Sequence, residues 1–194
     1  MSIDINPRRL PLGPWAGGFA LHIHTLSSTF IGHDEYGHAR FETLRSPVGE
    51  LLYQLKYRHD QTVVDQLAEA AGRFLKKWAP PIDAIVPVPP SVSRKPQPVL
   101  SVATAIGERL HIPLCTDCIV KVKQTPQLKD ITEYDKRMEA LKDAFTVSPE
   151  NTTGKSLLLF DDLYGSGATV RHIVDALKDL GHAKAVYLLT LTTK

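Results

Sequence analysis

Cysteine is scarce in this chain: its 194 residues hold two, Cys115 and Cys118, in a single C-x-x-C. A structural zinc site takes four ligands, commonly from two such pairs, and no second pair exists. A thioredoxin-like site needs the pair to open a helix after a strand. Here it lies in PLCTDCIV, which reads as strand and turn, so plain reduced thiols are expected. Long apolar runs are lacking too. No stretch approaches the roughly 20 residues of a membrane-spanning helix. The opening MSIDINPRRLPLG has no apolar signal core, and the expected location is cytoplasmic, with no membrane partner. Neither sign of charge dominates, since 23 Lys+Arg against 21 Asp+Glu leave a net +2. That balance does not select nucleic acid as a main partner, although a local basic patch would not show in the total.

What is present suits one globular domain with an extension, at 43% hydrophobic residues. Residues 1–17 are rich in Pro and Gly and carry Arg8-Arg9, and they read as an arm. Residues 18–45 alternate in polarity (FALHIHTL, STFIGH, ARFETLR) around the turn signal Asp34-Glu35-Tyr36-Gly37, which predicts a small antiparallel sheet. Ser46-Pro47-x-x-Glu50 is a helix start, with Ser46 as cap and Pro47 at the first position. Two helices follow, up to Pro80-Pro81. From residue 82 strand-like and helix-like runs alternate: IDAIVPVP, VLSVATAIGERL, HIPLC, then GKSLLLF, ATVRHIVDALKDLG and AVYLLTLTT. A charged segment over 119–140 interrupts them. The expected fold class is α/β, a mainly parallel sheet flanked by helices, with a small N-terminal antiparallel β element. The expected division is 1–45 for the arm and small sheet, and 46–194 for the α/β domain.

The stretch with the most chemistry is LLLFDDLYGSGAT, residues 157–169. Apolar residues lead into Asp161 and Asp162, then into a Gly-Ser-Gly loop that opens a helix. In a parallel sheet, ligands bind at the carboxyl ends of strands. Glycines permit close backbone approach, and the N–H groups of a helix start attract an anion, most naturally a phosphate. Two carboxylates would repel phosphate oxygens but suit hydroxyl donors or a divalent cation. A ribose 5-phosphate meets both demands. The rival loops fail: after Gly165-x-Gly167-x-x comes Val170, not the third glycine of a dinucleotide loop, and Pro149 stands where a Walker A loop before Gly154-Lys155-Ser156 needs its first glycine.

Residues 157–169 resemble the phosphoribosyl pyrophosphate (PRPP) signature of type I phosphoribosyltransferases. LKYRHD (55–60), IVPVPPS (85–91) and TPQLKDITEYDKRMEALKDAF (125–145) resemble, in order, further segments of the ComF family of phosphoribosyltransferase-like proteins. The resemblance implies the type I phosphoribosyltransferase fold and a PRPP or ribose-phosphate ligand. It assigns Asp161 and Asp162 to the ribose hydroxyls, and Tyr164, Gly165, Ser166, Gly167, Ala168 and Thr169 to the 5-phosphate. It assigns Val88, Pro89, Pro90 and Ser91 to the pyrophosphate loop, with Arg94 and Lys95 beyond it. Residues 121–137 match a closing lid, whose Lys123, Lys129 and Arg137 are candidate catalytic cations. Mg²⁺ is the implied cofactor, brought by PRPP and touching Asp161 and Asp162 at most. A lid rich in cations suits a reaction whose main demand is neutralising a pyrophosphate leaving group.

The resemblance leaves some points open. Purine-type members carry an acid where this chain has Gly165, so this loop offers no general base. Arg94-Lys95-Pro96-Gln97-Pro98 replaces a usual R-G-F-N-Q, and the four-cysteine ribbon of many members is absent. A PRPP-sensing regulator and a DNA-uptake accessory therefore stand beside the enzyme, and a homodimer is compatible with each. His22 and His24, two apart on one strand face, and His33 and His38 nearby suggest either ordinary structure, a metal cluster or a substrate hood. Lys56 of LKY either points at the site or caps its helix.

Overall fold

The computed structural model describes residues 2–90, 96–123, 131 and 133–194, and of residue 137 the backbone alone. Its centre is a five-stranded sheet in the order β1 (Arg8–Arg9), β2 (Gly17–Ile23), β9 (Ala185–Thr193), β8 (Ser156–Tyr164), β5 (Ala84–Pro87). β2, β9, β8 and β5 run parallel, and the short β1 lies antiparallel on the β2 edge. β3 (Thr25–His33) and β4 (Ala39–Arg45) form a separate antiparallel hairpin. Its turn is the expected one: the Asp34 carboxylate accepts from the Tyr36 and His38 N–H groups, and Gly37 takes φ 80°. A third pair, β6 (Ile119–Lys121) with β7 (Phe145–Val147), closes the base of the charged excursion.

The alternating segment 18–45 thus divides between two sheets. Only 25–45 is the antiparallel element, and 17–23 pairs with β9, with Ala20 opposite Thr190 and His22 opposite Thr192. β2 belongs in the interior because Ala20 and Leu21 are fully buried, one on each face of the sheet.

Helices cover both faces. α1 (Pro47–Tyr57), α2 (Val64–Trp78) and α3 (Pro98–Leu110) place Leu52, Leu55, Leu67 and Ile106 on one face, against Leu158 and Phe160 of β8. α6 (Ala168–Asp179) places Ile173, Val174 and Leu177 on the other, against Leu157 and Leu159. Successive residues of β8 feed opposite layers, as the two-residue period of a strand requires. α1 begins as expected, with buried Ser46 accepting from Gly49 N–H at 3.0 Å, a cap that contributes about 1 kcal/mol. Two short helices complete the order, α4 (Tyr134–Ala140) and α5 (Pro149–Thr152). Cys115 and Cys118 are joined as a disulfide, against the expectation of free thiols, because the C-x-x-C turn brings their Cα atoms to 5.4 Å. No helix among the described residues is long and apolar enough to cross a membrane.

Candidate functional site

β5 leads through α3, on one face, to Leu114, which bridges back to Ile85 of β5. β8 leads through α6, on the other face, to β9 on its far side. The winding therefore reverses between β5 and β8, and the crevice at their carboxyl ends is where such a sheet takes a ligand. Pairing between these strands stops at Pro87–Phe160, with one further bond from Val88 N–H to Phe160 O at 2.9 Å. β8 runs on without β5 to Tyr164, still paired with β9. The acids expected at a strand end are thus inside the strand, on the stretch that among the described residues has no partner on its β5 side.

Asp161 and Asp162 leave the strand in opposite directions. Asp162 turns toward α1, where its Oδ2 meets Lys56 Nζ at 2.9 Å, and each side chain is 17% exposed. Asp161 Oδ1 accepts from Asp162 N–H at 2.8 Å. Behind them Thr192 donates its hydroxyl to Asp162 O at 3.2 Å, and its oxygen lies 3.2 Å from His24 Nδ1. The hydroxyl's one proton is committed to Asp162 O, so Nδ1 is the donor in the histidine contact. Burial lowers the His24 pKa, and the nearby Arg45 and Lys56 lower it further, in keeping with a neutral ring.

The loop that follows opens α6 from Gly167, which sits at the N-cap in the left-handed region at φ 80° and supplies no side-chain cap. The first N–H groups of that helix are left for another acceptor, apart from a 3.5 Å contact from Ala168 N–H to Ser166 Oγ. Gly165 and Ser166 are exposed, Gly167, Ala168 and Tyr164 are buried, and Thr169 is half-buried. The Tyr164 ring stands edge-on to Trp15 at 6.1 Å and floors the loop.

Val88 and Pro89 occupy the end of β5, Val88 buried and Pro89 half-buried, with Pro90 exposed beside them. Lys123 stands at the base of the excursion and donates to Lys142 O at 3.4 Å. Ser91, Arg94, Lys95, Lys129 and the Arg137 side chain lie outside the described residues. The histidines separate. His22 is buried with Nδ1 lacking a hydrogen bond, His33 packs on Phe30, and His38 meets Asp34. Among the described residues no group of His, Cys, Asp and Glu could hold a metal ion. Two neighbours of the acid pair differ in what the sequence said of them. Lys56 of LKY, which the sequence left between pointing at the site and capping its helix, points at the acid pair, and Thr192 reads only as part of an apolar strand. The hint for Thr192 was a pair of threonines, Thr190 and Thr192, both buried near the end of an otherwise apolar strand.

Burial, and then the neighbouring Asp162, push the Asp161 carboxyl from 3.8 up to about 8. Between those values the folded protein keeps a proton that the unfolded chain has released. Stability therefore falls as pH rises through that window, and levels off above it. Asp161→Asn removes this component. Its melting temperature should lose several degrees less than wild type between pH 5 and 8.5, at about 2–4 °C per kcal/mol for a chain of this size. Parallel melting curves against pH would show that Asp161 titrates normally.

No family model matches the chain. Over 62 residues it is 36% identical to the bifunctional protein PyrR of Endomicrobium trichonymphae, a stretch covering 32% of this chain and 34% of that one. Over 65 residues it is 37% identical to the bifunctional protein PyrR of Thermus aquaticus, covering 34% of each. The match thus spans about a third of the length of these curated relatives. Among solved structures, glutamine PRPP amidotransferase from B. subtilis, complexed with ADP and GMP, superposes with a TM-score of 0.51 at 17% identity, over 81% of this chain and 34% of that one. A likeness at that identity is one of fold. The parallel sheet, its flanking helices and the small hairpin give this chain the type I phosphoribosyltransferase fold.

Proposed function

We propose that the crevice at the ends of β5 and β8 binds PRPP or ribose 5-phosphate, and that the protein transfers the phosphoribosyl group to a nitrogen nucleophile. The observation that carries this reading is the junction of β8 and α6: two carboxylates followed at once by an uncapped helix start built on a left-handed glycine. The 5-phosphate would lie on the N–H groups of Gly165 to Ala168, with Ser166 and Thr169 as hydroxyl donors. Asp161 and Asp162 would take the ribose hydroxyls. Val88 to Ser91 would lie along the pyrophosphate, with Arg94 and Lys95 beyond.

In the reaction the bond from ribose C1 to the pyrophosphate oxygen breaks, and a bond from the nucleophile's nitrogen to C1 forms. Pyrophosphate leaves with the bonding pair. Lys123, Lys129 and Arg137 would neutralise its charge as the excursion closes and excludes water. The proton lost from nitrogen goes to solvent or to the acceptor's own site, because Gly165 offers no base. Mg²⁺, carried by PRPP, would supply further neutralisation of the pyrophosphate. The acid pair is a poor cage for that ion, since Asp162 already gives an oxygen to Lys56 and Asp161 is held toward its neutral form.

Calorimetry with PRPP and Mg²⁺ tests the reading. Asp161→Asn with Asp162→Asn is expected to weaken binding at least tenfold, about 1.4 kcal/mol or more. No heat with either PRPP or ribose 5-phosphate in wild type would remove the proposal. The missing acid at Gly165 favours one second reading, a PRPP-sensing regulator. A screen for pyrophosphate release over bases and amines separates the two: tight binding without release supports the sensor.

A further inference from the structure

Lys56 lies in the last turn of α1, where a lysine ordinarily faces water and complements the helix dipole. Instead its side chain crosses to the end of β8 and is 17% exposed. Each of the other ion pairs among the described residues has at least one partner more than two-fifths exposed. Burying such a pair brings little net stability, because desolvation offsets the attraction. Fixing a long lysine side chain also costs rotamer entropy. The contact therefore calls for a role beyond holding the fold.

Its geometry indicates one. Asp162 is fixed from three directions: Lys56 holds Oδ2, Thr192 donates to its backbone oxygen, and its N–H is donated to Asp161. Among the described residues this leaves Oδ1 without a hydrogen bond, on a stretch of β8 that β5 does not reach. The seat of Lys56 is itself rigid. Leu52 and Leu55 are buried in the core, and Gly49 presses so close to His24 O that a Cβ there would overlap it. We propose that Lys56 is a positioning residue of the sugar subsite: it locks Asp162 so that the free carboxylate oxygen meets a hydroxyl of a ribose phosphate, and so sets the preference for ribose 5-phosphate over phosphate alone. This rests on the reading of the crevice given above.

The probes are ribose 5-phosphate, which needs both the acids and the loop, and inorganic phosphate, which needs the loop alone. Wild type is expected to bind ribose 5-phosphate at least tenfold more tightly than phosphate. Lys56→Met should lose about tenfold for ribose 5-phosphate and keep phosphate within twofold. Lys56→Arg, which keeps the charge on a bulkier head, should stay within about threefold of wild type. Adding Asp162→Asn to Lys56→Met should cost little more, because both act through one carboxylate. A merely structural role would weaken both probes together, and that result overturns the assignment. So does an unchanged ratio, or tighter binding of ribose 5-phosphate by Lys56→Met, which would make the lysine a competitor for the acid. A melting curve for each variant separates misfolding from lost recognition. If wild type shows no preference for ribose 5-phosphate, the reading of the crevice itself fails, and this one with it.

Discussion

Gly167→Val is expected to weaken binding of both phosphate and ribose 5-phosphate by about a hundredfold while the protein stays folded. Gly167 sits at φ 80°, and a Cβ there would fall on the Tyr164 hydroxyl. Valine is a genuine outlier at such an angle, because its branched Cβ crowds the backbone. The Tyr164 ring cannot yield easily, since it is buried and packed edge-on to Trp15. The loop must therefore rotate, and the N–H groups that open α6 turn away from the phosphate. Losing two charge-assisted bonds, at about 1.5 kcal/mol each, gives the hundredfold figure. The strain costs roughly 1–3 kcal/mol of stability, which most folded domains survive. Gly154 is the control. It too has a positive φ, 74°, but it precedes β8 at the end away from the acid pair, so Gly154→Val should bring comparable strain and bind as wild type does. Calorimetry of the three proteins with both probes decides. A valine variant within threefold of wild type would mean that this loop does not hold the phosphate.

The part of the fold that local pattern determines was legible in the sequence. Ser46 caps α1 through its own side chain, and the Asp34 turn closes on its own carboxylate, so four or five residues contain the whole signal. The acid pair and its glycine loop were legible for the same reason. What the sequence hid are partnerships between distant segments. Alternation marks 17–23 as a strand but does not say that its neighbour is β9, some 170 residues on, in parallel. Nor does it say that β8 outruns β5, so that among the described residues the stretch with the acid pair is paired on its β9 side alone. Lys56 and Asp162 meet across the whole domain, and neither residue signals the other in sequence. The disulfide differs from these cases. C-x-x-C is local, and the expectation of free thiols came from weighing the pair only as a zinc or thioredoxin-like motif, not from how close a turn brings the two residues.

Phe160→Ala is expected to destabilise the protein by about 3–5 kcal/mol, the usual cost of emptying a fully buried aromatic site. Phe160 is 0% exposed and immediately precedes the acid pair. Its backbone pairs with Pro87 on one side and Leu189 on the other, and its oxygen takes the Val88 N–H that starts the β5 end loop. Its ring faces the layer of α1 to α3, where Leu55, Val102 and Ile106 surround the same core. The ladder bonds do not depend on the side chain, so the strand should persist while the layer above it loses its filling. The melting temperature should fall by roughly 6–20 °C. Ribose 5-phosphate affinity, measured well below that temperature, should fall only severalfold, because Asp161 and the α6 loop face the other layer. Asp162 and Lys56 face the emptied side, so the loss that remains should vanish in a Lys56→Met background. A destabilisation under about 1.5 kcal/mol would mean that α1 and α3 close over the gap. Lys56 would then have to move with α1, and the sugar subsite would be softer than its hydrogen bonds suggest.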